Sequence, residues 1–409
     1  LVAGKTQNAR MMIECEVLPG LKPLLVDEVR RALGRQAELA ADDDPTALRF
    51  RYSGSLSALL RLRIAVAAYL LVTVPGRRPS ALLGDTTLFD QVEVARTLHP
   101  PGSFSSFRLS APGKESAALR RLREELTRRS GLAYDPEGGE LLLRIRRASA
   151  GWDLLTRLSP RPLSTRPWRV HNLPGALNAT IAAAVVDMTG PRGGDRVLNL
   201  MCGSGTLLIE RFARGRPALA LGCDIDPSAL AGTRGNLAAA GLTGSVGLAW
   251  MDVTALGLAD ASFDVLLADL PYGHRMGSHQ DNAALYPAVL QEAARVAAPG
   301  AALLVVTHEL RLFERCLATA DRWWSVERAV QVYQKGHHPM VYLLRRTPMA
   351  AGKALRHDDA THRAVQATGR SGNGGRTGGA GLRGADRRSL ARGGVLLPSR
   401  EVHRPGERG

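Results

Sequence analysis

Between residues 196 and 307, five short apolar runs alternate with helix-forming stretches: Arg196–Leu200, Ala218–Asp224, Val246–Trp250, Val265–Asp269 and Ala301–Thr307. Parallel strands cannot be joined by a tight hairpin and need a crossover, usually a helix, so this alternation predicts a parallel sheet with helices on both faces. The expected fold class is α/β, a doubly wound parallel sheet. Ligands of such sheets bind in the crevice outside the carboxyl ends of the strands. The chemistry is therefore sought where each apolar run stops.

The first run stops at Asn199-Leu-Met-Cys202-Gly203-Ser204-Gly205-Thr206, before a helix at Leu207–Ala213. Glycines there let the backbone pass close to a ligand. The order is CGSGT rather than GxGxxG, which argues against a nicotinamide cofactor. The second run stops at Asp224-Ile225-Asp226-Pro227, about twenty residues on, where an acidic side chain can accept hydrogen bonds from ribose hydroxyls. A nucleoside-bearing ligand follows. Asp252 and Val253, after the third run, put a further acceptor at the same crevice, although an Asp there also suits a helix cap. The fourth run closes on Asp269-Leu270-Pro271-Tyr272-Gly273. An exocyclic base amine is a poor nucleophile because its lone pair is delocalised into the ring. Asp269 and a nearby backbone carbonyl can accept its hydrogens and favour a pyramidal nitrogen, Pro271 stiffens the turn, and Tyr272 can stack on an extruded base.

The rest of the 409-residue chain divides by pattern. Residues 12–74 read as a small α+β unit, with strands at Met12–Val17, Leu48–Arg51 and Ala67–Val74. Its amphipathic helix carries Leu24, Leu25, Val29 and Leu33 on one face, and a second helix lies near Ser55–Leu62. Residues 75–158 form a second unit, with strands Ser106–Ser110, Leu141–Arg146 and Leu154–Arg157 around a helix, Ser116–Arg129. That helix keeps Leu119, Leu122 and Leu126 on one face and arginines mostly on the other. Residues 159–172, rich in proline and arginine, read as a basic linker, and 173–346 as the sheet domain, ending in a hairpin over Ser325–Leu344. From about Ala350 to residue 409 the chain is rich in Gly and Arg without core-forming periodicity, and disorder is expected. Residues 1–10 are polar and lack the apolar core of a signal peptide, and Met11 or Met12 looks the more natural start.

The formal charge of +16 points to an anionic partner, nucleic acid first, although roughly +7 of it sits in the Gly/Arg tail. No apolar run approaches the roughly 18 residues that would span a bilayer, so no membrane partner is expected. Four widely spaced cysteines without a CxxC pair suggest neither a disulfide framework nor zinc, which fits a cytoplasmic protein. His274, His279, His308, His337 and His338 show no ligand spacing and read as surface residues; no metal is expected.

Together, Asn199-xx-CGSGT, Asp224, Asp252 and Asp269-LPYG resemble the Rossmann-type methyltransferases of base amines, with their (Asp/Asn)-Pro-Pro-(Tyr/Phe) tetrapeptide. Within these the chain resembles the THUMP-domain tRNA guanine-N2 methyltransferases. The segment Glu14-Cys-Glu-Val-Leu-Pro-Gly-Leu, the helix Ser116–Arg129, and Arg166-Pro-Trp-Arg-Val followed by Leu173-Pro-Gly-Ala-Leu-Asn178 are similar to that family's ferredoxin-like domain, THUMP module and linker. Leu270 in place of the first proline, and Asn199 in place of a frequent Asp, depart from the pattern. The resemblance implies a ferredoxin-like unit over 12–74, a THUMP-like unit over 75–158, and S-adenosylmethionine as cofactor. It sets Asn178 near the methionine end, Asp224 on the ribose, Ile225 against the adenine and Asp252 on the adenine amine, beside the turn of Asn199, Cys202, Gly203, Ser204, Gly205 and Thr206. Asp269, Pro271 and Tyr272 would bind the target base, and Arg108, Arg120, Arg121 and Arg128 would face the acceptor end of tRNA. The implied function is methylation of a guanine exocyclic amine in tRNA by a monomeric enzyme. The alternatives are adenine-N6 methylation, ribosomal RNA as substrate, and a non-catalytic RNA-binding protein.

Overall fold

The computed structural model describes residues 10–272, 279–333 and 336–347; the Gly/Arg segment, His274 and Gly273 lie outside the described residues. Two sheets organise them. The first contains β1 (Met11–Glu16), β2 (Ala37–Leu39), β3 (Ala47–Tyr52), β4 (Ala67–Pro75), β5 (Ser106–Ser110), β6 (Ala133–Tyr134), β7 (Leu141–Ala148) and β8 (Gly151–Arg157), in the order β2-β3-β1-β4-β8-β7-β5-β6. The antiparallel pairing of β4 with β8 makes one sheet continuous across residues 11–157.

Its helices are α1 (Lys22–Leu33), α2 (Leu56–Leu59), α3 (Thr87–Thr97) and α4 (Ala117–Ser130). Leu24, Leu25, Val29 and Leu33 of α1 are buried, as are Leu119, Leu122 and Leu126 of α4, so the apolar stripes read from the sequence are the packed faces. The helix α4 ends where Gly131 turns left-handed and donates to the carbonyl of Thr127. The sequence reading does not anticipate α3. Its buried stripe of Leu88, Val92 and Ala95 is interrupted by Gln91, which is buried because it bonds the carbonyls of Leu70 and Leu154 and accepts from Thr156 Oγ1.

The second sheet is the expected one. Strands β9 (Arg196–Leu200), β10 (Leu219–Asp224), β11 (Gly247–Trp250), β12 (Phe263–Asp269) and β13 (Ala297–Thr307) are parallel. The antiparallel hairpin of β14 (Trp324–Gln331) and β15 (Met340–Arg346) completes the order β11-β10-β9-β12-β13-β15-β14. The order reverses at β9, so β9 and β12, which diverge from there to opposite sides, create the crevice. Helices α5 (Ala179–Met188), α6 (Thr206–Phe212), α7 (Pro227–Ala239), α8 (His279–Val296) and α9 (Leu310–Thr319) accompany it. No helix among the described residues is long and apolar enough to cross a membrane.

The two sheets share a core. Leu25 and Val29 of α1 belong to one apolar cluster with Ile181 and Val185 of α5 and with Val197, Leu267 and Leu304 of the second sheet. Around that core, buried charges are paired. Glu210 of α6 accepts from Arg63 Nε at 2.6 Å and from Arg166 Nε at 2.9 Å, and Arg214 bridges Glu28 at 2.7 Å and Asp187 at 2.6 Å. Unpairing one such group would leave a buried charge uncompensated. Residues 159–172 are built into this packing: Arg166 and Trp168 are buried, and the backbone N–H of His171 donates to Asn236 Oδ1 at 2.8 Å.

Candidate active site

The turn after β9 is held from several sides. Met201, Gly203 and Gly205 all take positive φ, at 50°, 54° and 73°. For Met201 that conformation costs about 1–2 kcal/mol, a strain that no residue pattern signals. A Cβ on Gly205 would stand 2.8 Å from Thr233 Cγ2, so the close approach of α6 to α7 requires glycine there. A Cβ on Gly203 would meet nothing within 4 Å: its outer side faces open space. Thr233 Oγ1 donates to the carbonyl of Gly203, and Asn236 Nδ2 donates to that of Ser204 at 2.9 Å. Ser204 and Thr206 pair through their hydroxyls at 2.9 Å, and Arg169 Nη2 donates both to Thr206 Oγ1 at 2.9 Å and to the carbonyl of Leu177 at 2.8 Å. That guanidinium ties the segment before Asn178 to the glycine turn. Asn178 caps α5, its Oδ1 accepting from Thr180 N at 2.8 Å.

Asp224 closes the turn from β10. Its carboxylate accepts from the backbone N–H of Gly203 at 2.8 Å and of Asp226 at 3.0 Å. Asp226 itself caps α7. Beyond Asp224, Ile225 is 62% exposed and Trp250 72% exposed, joined by a 2.7 Å bond from Trp250 Nε1 to the carbonyl of Ile225. Two large apolar side chains left in water at a crevice rim suit a flat heteroaromatic ligand. Trp250 was not among the sequence candidates, although its position at the end of a strand beside Asp252 could have found it. Asp252 is exposed and accepts from Thr254 N and Oγ1 at 2.8 and 2.7 Å, the capping geometry, while Val253 is buried beneath it. Asn199 is fully buried under the turn. Its Nδ2 donates to the carbonyls of Leu200 and Leu267, and its Oδ1 has no partner among the described residues. Burial, with the Asp224 charge adding to it, pushes the Cys202 thiol up to about 12, so it is no thiolate nucleophile.

On the other side of the crevice, Asp269 ends β12 in register with Val306 of β13. Among the described residues no donor bonds its carboxylate, and desolvation raises it to about 7. The turn behind it is fixed from α8. Tyr286 Oη donates to the carbonyl of Pro271 at 2.7 Å, and Asn282 Nδ2 donates to the same oxygen at 3.2 Å. Tyr286 is held protonated, its phenol lifted by burial to about 12. Tyr272 is half-buried, its ring centroid 3.9 Å from that of His308 and tilted by 30°. His308 is thus no free surface residue, contrary to its sequence reading: it is half-buried, and desolvation, with His337 nearby, lowers it to about 4. His337 and His338 are exposed. The Gly175 segment reaches the same place, a Cβ there lying 3.6 Å from Tyr272 Oη.

The arrangement sets a glycine-lined crevice with a paired carboxylate beside one that is unpaired among the described residues, on the same sheet edge. Residues 166–340 match the UPF0020 family, described as an RMKL-like methyltransferase domain. This segment is similar to a methyltransferase domain. Around it, the chain is 31% identical over 193 residues to the mouse tRNA (guanine(6)-N(2))-methyltransferase THUMP3, covering 44% of this chain and 38% of that one, so it spans about two fifths of that relative's length. It is 26% identical over 347 residues to the tRNA (guanine(6)-N2)-methyltransferase of Thermus thermophilus, 82% of this chain and 99% of the relative. The crystal structure of TrmN from Thermus thermophilus superposes with a TM-score of 0.65 at 26% identity, over 82% of this chain and 99% of that one. The likeness takes in both sheets, and the second sheet with its helices has the Rossmann-type fold expected from the sequence.

Proposed function

We propose that the chain is an S-adenosylmethionine-dependent methyltransferase that modifies the N2 amine of a guanine in tRNA. The observation that carries this reading is Asp269, an unpaired carboxylate beside Tyr272, on the same sheet edge as the glycine turn. Whole-length similarity to an enzyme named for tRNA guanine-N2 methylation supports the substrate class.

The crevice suits the cofactor on three counts: Gly203 faces open space, Ile225 and Trp250 offer exposed apolar surface, and Asp224 keeps lone pairs for ribose hydroxyls. Bound there, S-adenosylmethionine supplies an electrophilic sulfonium methyl. Asp269 accepts a hydrogen bond from the amine as the nitrogen becomes tetrahedral, and a carboxylate poised near 7 can take the proton the nitrogen sheds when the C–N bond forms. The carbonyl of Leu270 is the adjacent acceptor, since that of Pro271 is already engaged by Tyr286 and Asn282. Most of the remaining rate comes from holding two reactants in line.

In the first sheet, Arg108, Lys114 and Arg144 line a cavity of about 360 Å³, and Arg120, Arg121 and Arg128 are exposed on α4. Burial brings Arg157 down to about 10, with Arg108 and Arg144 adding to it. Such a basic concavity suits RNA phosphates, and residues 12–158 are proposed as ferredoxin-like and THUMP-like RNA-binding units acting in a cytoplasmic monomer. Nucleoside mass spectrometry of tRNA incubated with the protein and S-adenosylmethionine tests the reading. N2-methylguanosine is the expected product; N6-methyladenosine, or no methylated nucleoside, would refute it.

A further inference from the structure

Three aromatic rings converge where the base is to be seated, and they come from three separate parts of the chain. Tyr272 follows β12, His308 follows β13, and His337 lies between the strands of the terminal hairpin. The centroids of Tyr272 and His308 are 3.9 Å apart, those of His308 and His337 5.6 Å, and those of Tyr272 and His337 6.3 Å. The His308 backbone is pinned on both sides. Thr307 Oγ1 accepts from Glu309 N at 3.1 Å and lies 3.3 Å from Tyr286 Oη, the phenol that also anchors Pro271. The same hydroxyl network therefore fixes both the turn bearing Tyr272 and the ring that backs it.

We propose that His308 is a positioning residue of the target pocket, holding the Tyr272 ring by stacking, and that Tyr272, His308 and His337 form one wall against which an extruded purine is seated. This rests on the guanine-methylation reading. A free phenol rotates about two side-chain bonds, and a stacking platform that rotates does not orient a base. Stacking on an imidazole from a neighbouring strand removes that freedom before the base arrives. A neutral His308 does this without placing a cation beside the amine that must act as nucleophile. The exposed His337, at the end of the wall, is the ring that RNA meets first.

Single-turnover transfer onto bulk tRNA, with S-adenosylmethionine affinity measured for each variant, tests this. His308→Ala should slow transfer about tenfold with cofactor affinity unchanged, and His308→Phe should return the rate to within about threefold of wild type, because the ring rather than its nitrogens matters. His337→Ala should raise the KM for tRNA severalfold and lower the saturated rate by less than His308→Ala does. His308→Asn removes the ring but keeps a side chain of similar length, and replaces alanine in the comparison if the alanine variant does not fold. A ringless variant within twofold of wild type, or a phenylalanine variant as slow as the ringless one, would overturn the wall. Wild-type protein that transfers no methyl to tRNA would overturn the guanine-methylation reading and this inference with it, whereas transfer unaffected by losing the ring overturns the inference alone.

Discussion

Asp224 and Asp269 end strands of the same sheet, yet their carboxylates are held in opposite ways. Asp224 accepts from two backbone N–H groups of the turns around it, which orient its carboxylate and leave lone pairs for a ligand. Asp269 has no donor among the described residues and is raised to about 7 by desolvation. A carboxylate oriented by backbone donors before any ligand arrives shapes a binding site. One left short of hydrogen bonds is ready to take them from a reacting group. Under the proposed function, the difference separates an arranging acid from a reacting one, although both occupy the same kind of position in the sequence.

The largest effect that would sharpen this contrast is at Asp269. Alanine there offers no acceptor, and single-turnover transfer at saturating cofactor should fall by about 10² to 10³, with tRNA and cofactor affinity little changed. Asparagine, which keeps an acceptor oxygen, should retain measurable transfer. At Asp224 the loss should appear in binding instead. Asp224→Ala removes charge-assisted bonds worth about 1.5–3 kcal/mol, so calorimetry should find cofactor affinity weakened roughly ten- to hundredfold while tRNA affinity stays within twofold. If both alanine variants lose rate and affinity alike, the distinction between the two acids fails. A smaller effect is expected at Tyr286, two helical turns into α8. Tyr286→Phe removes one neutral hydrogen bond to the carbonyl of Pro271, worth about 1 kcal/mol, and should slow transfer about fivefold without touching cofactor affinity.

How much of this could be read from the sequence follows the same division. The cofactor side is local: a strand, a glycine turn and an acid twenty residues on are neighbours along the chain, so CGSGT and Asp224 were legible at once. The base side is assembled from afar. Tyr286 and Asn282 reach Pro271 from 15 and 11 residues downstream, and His308 reaches Tyr272 from the next strand, with no periodicity to betray either. His308 was read as a surface residue because a lone histidine carries no signal until its packing is known. Asn199 shows the opposite limit. It sits inside the motif and yet is buried beneath the turn, bonding β9 to β12 through Leu267, where it supports the crevice from below. The helix α3 escaped because Gln91 breaks its apolar stripe, and only the carbonyls of Leu70 and Leu154 explain why a glutamine belongs there.

The pH dependence of transfer tests the central contrast most directly. A buried acid whose folded value is raised favours the fold in its neutral form, so its stabilising contribution is present below the ordinary carboxylate range and is lost as pH rises through about 7. Asp269→Asn should therefore melt above wild type at pH 8, with the gap closing toward pH 4. The reaction needs the opposite form, because only the carboxylate is purely an acceptor. Between pH 5.5 and 8.5, at saturating cofactor and tRNA, the single-turnover rate of wild type should climb through a midpoint near 7 and level off. That of Asp269→Asn should be lower and flat. Two profiles that rise together would contradict the account, since the titrating group would then lie elsewhere.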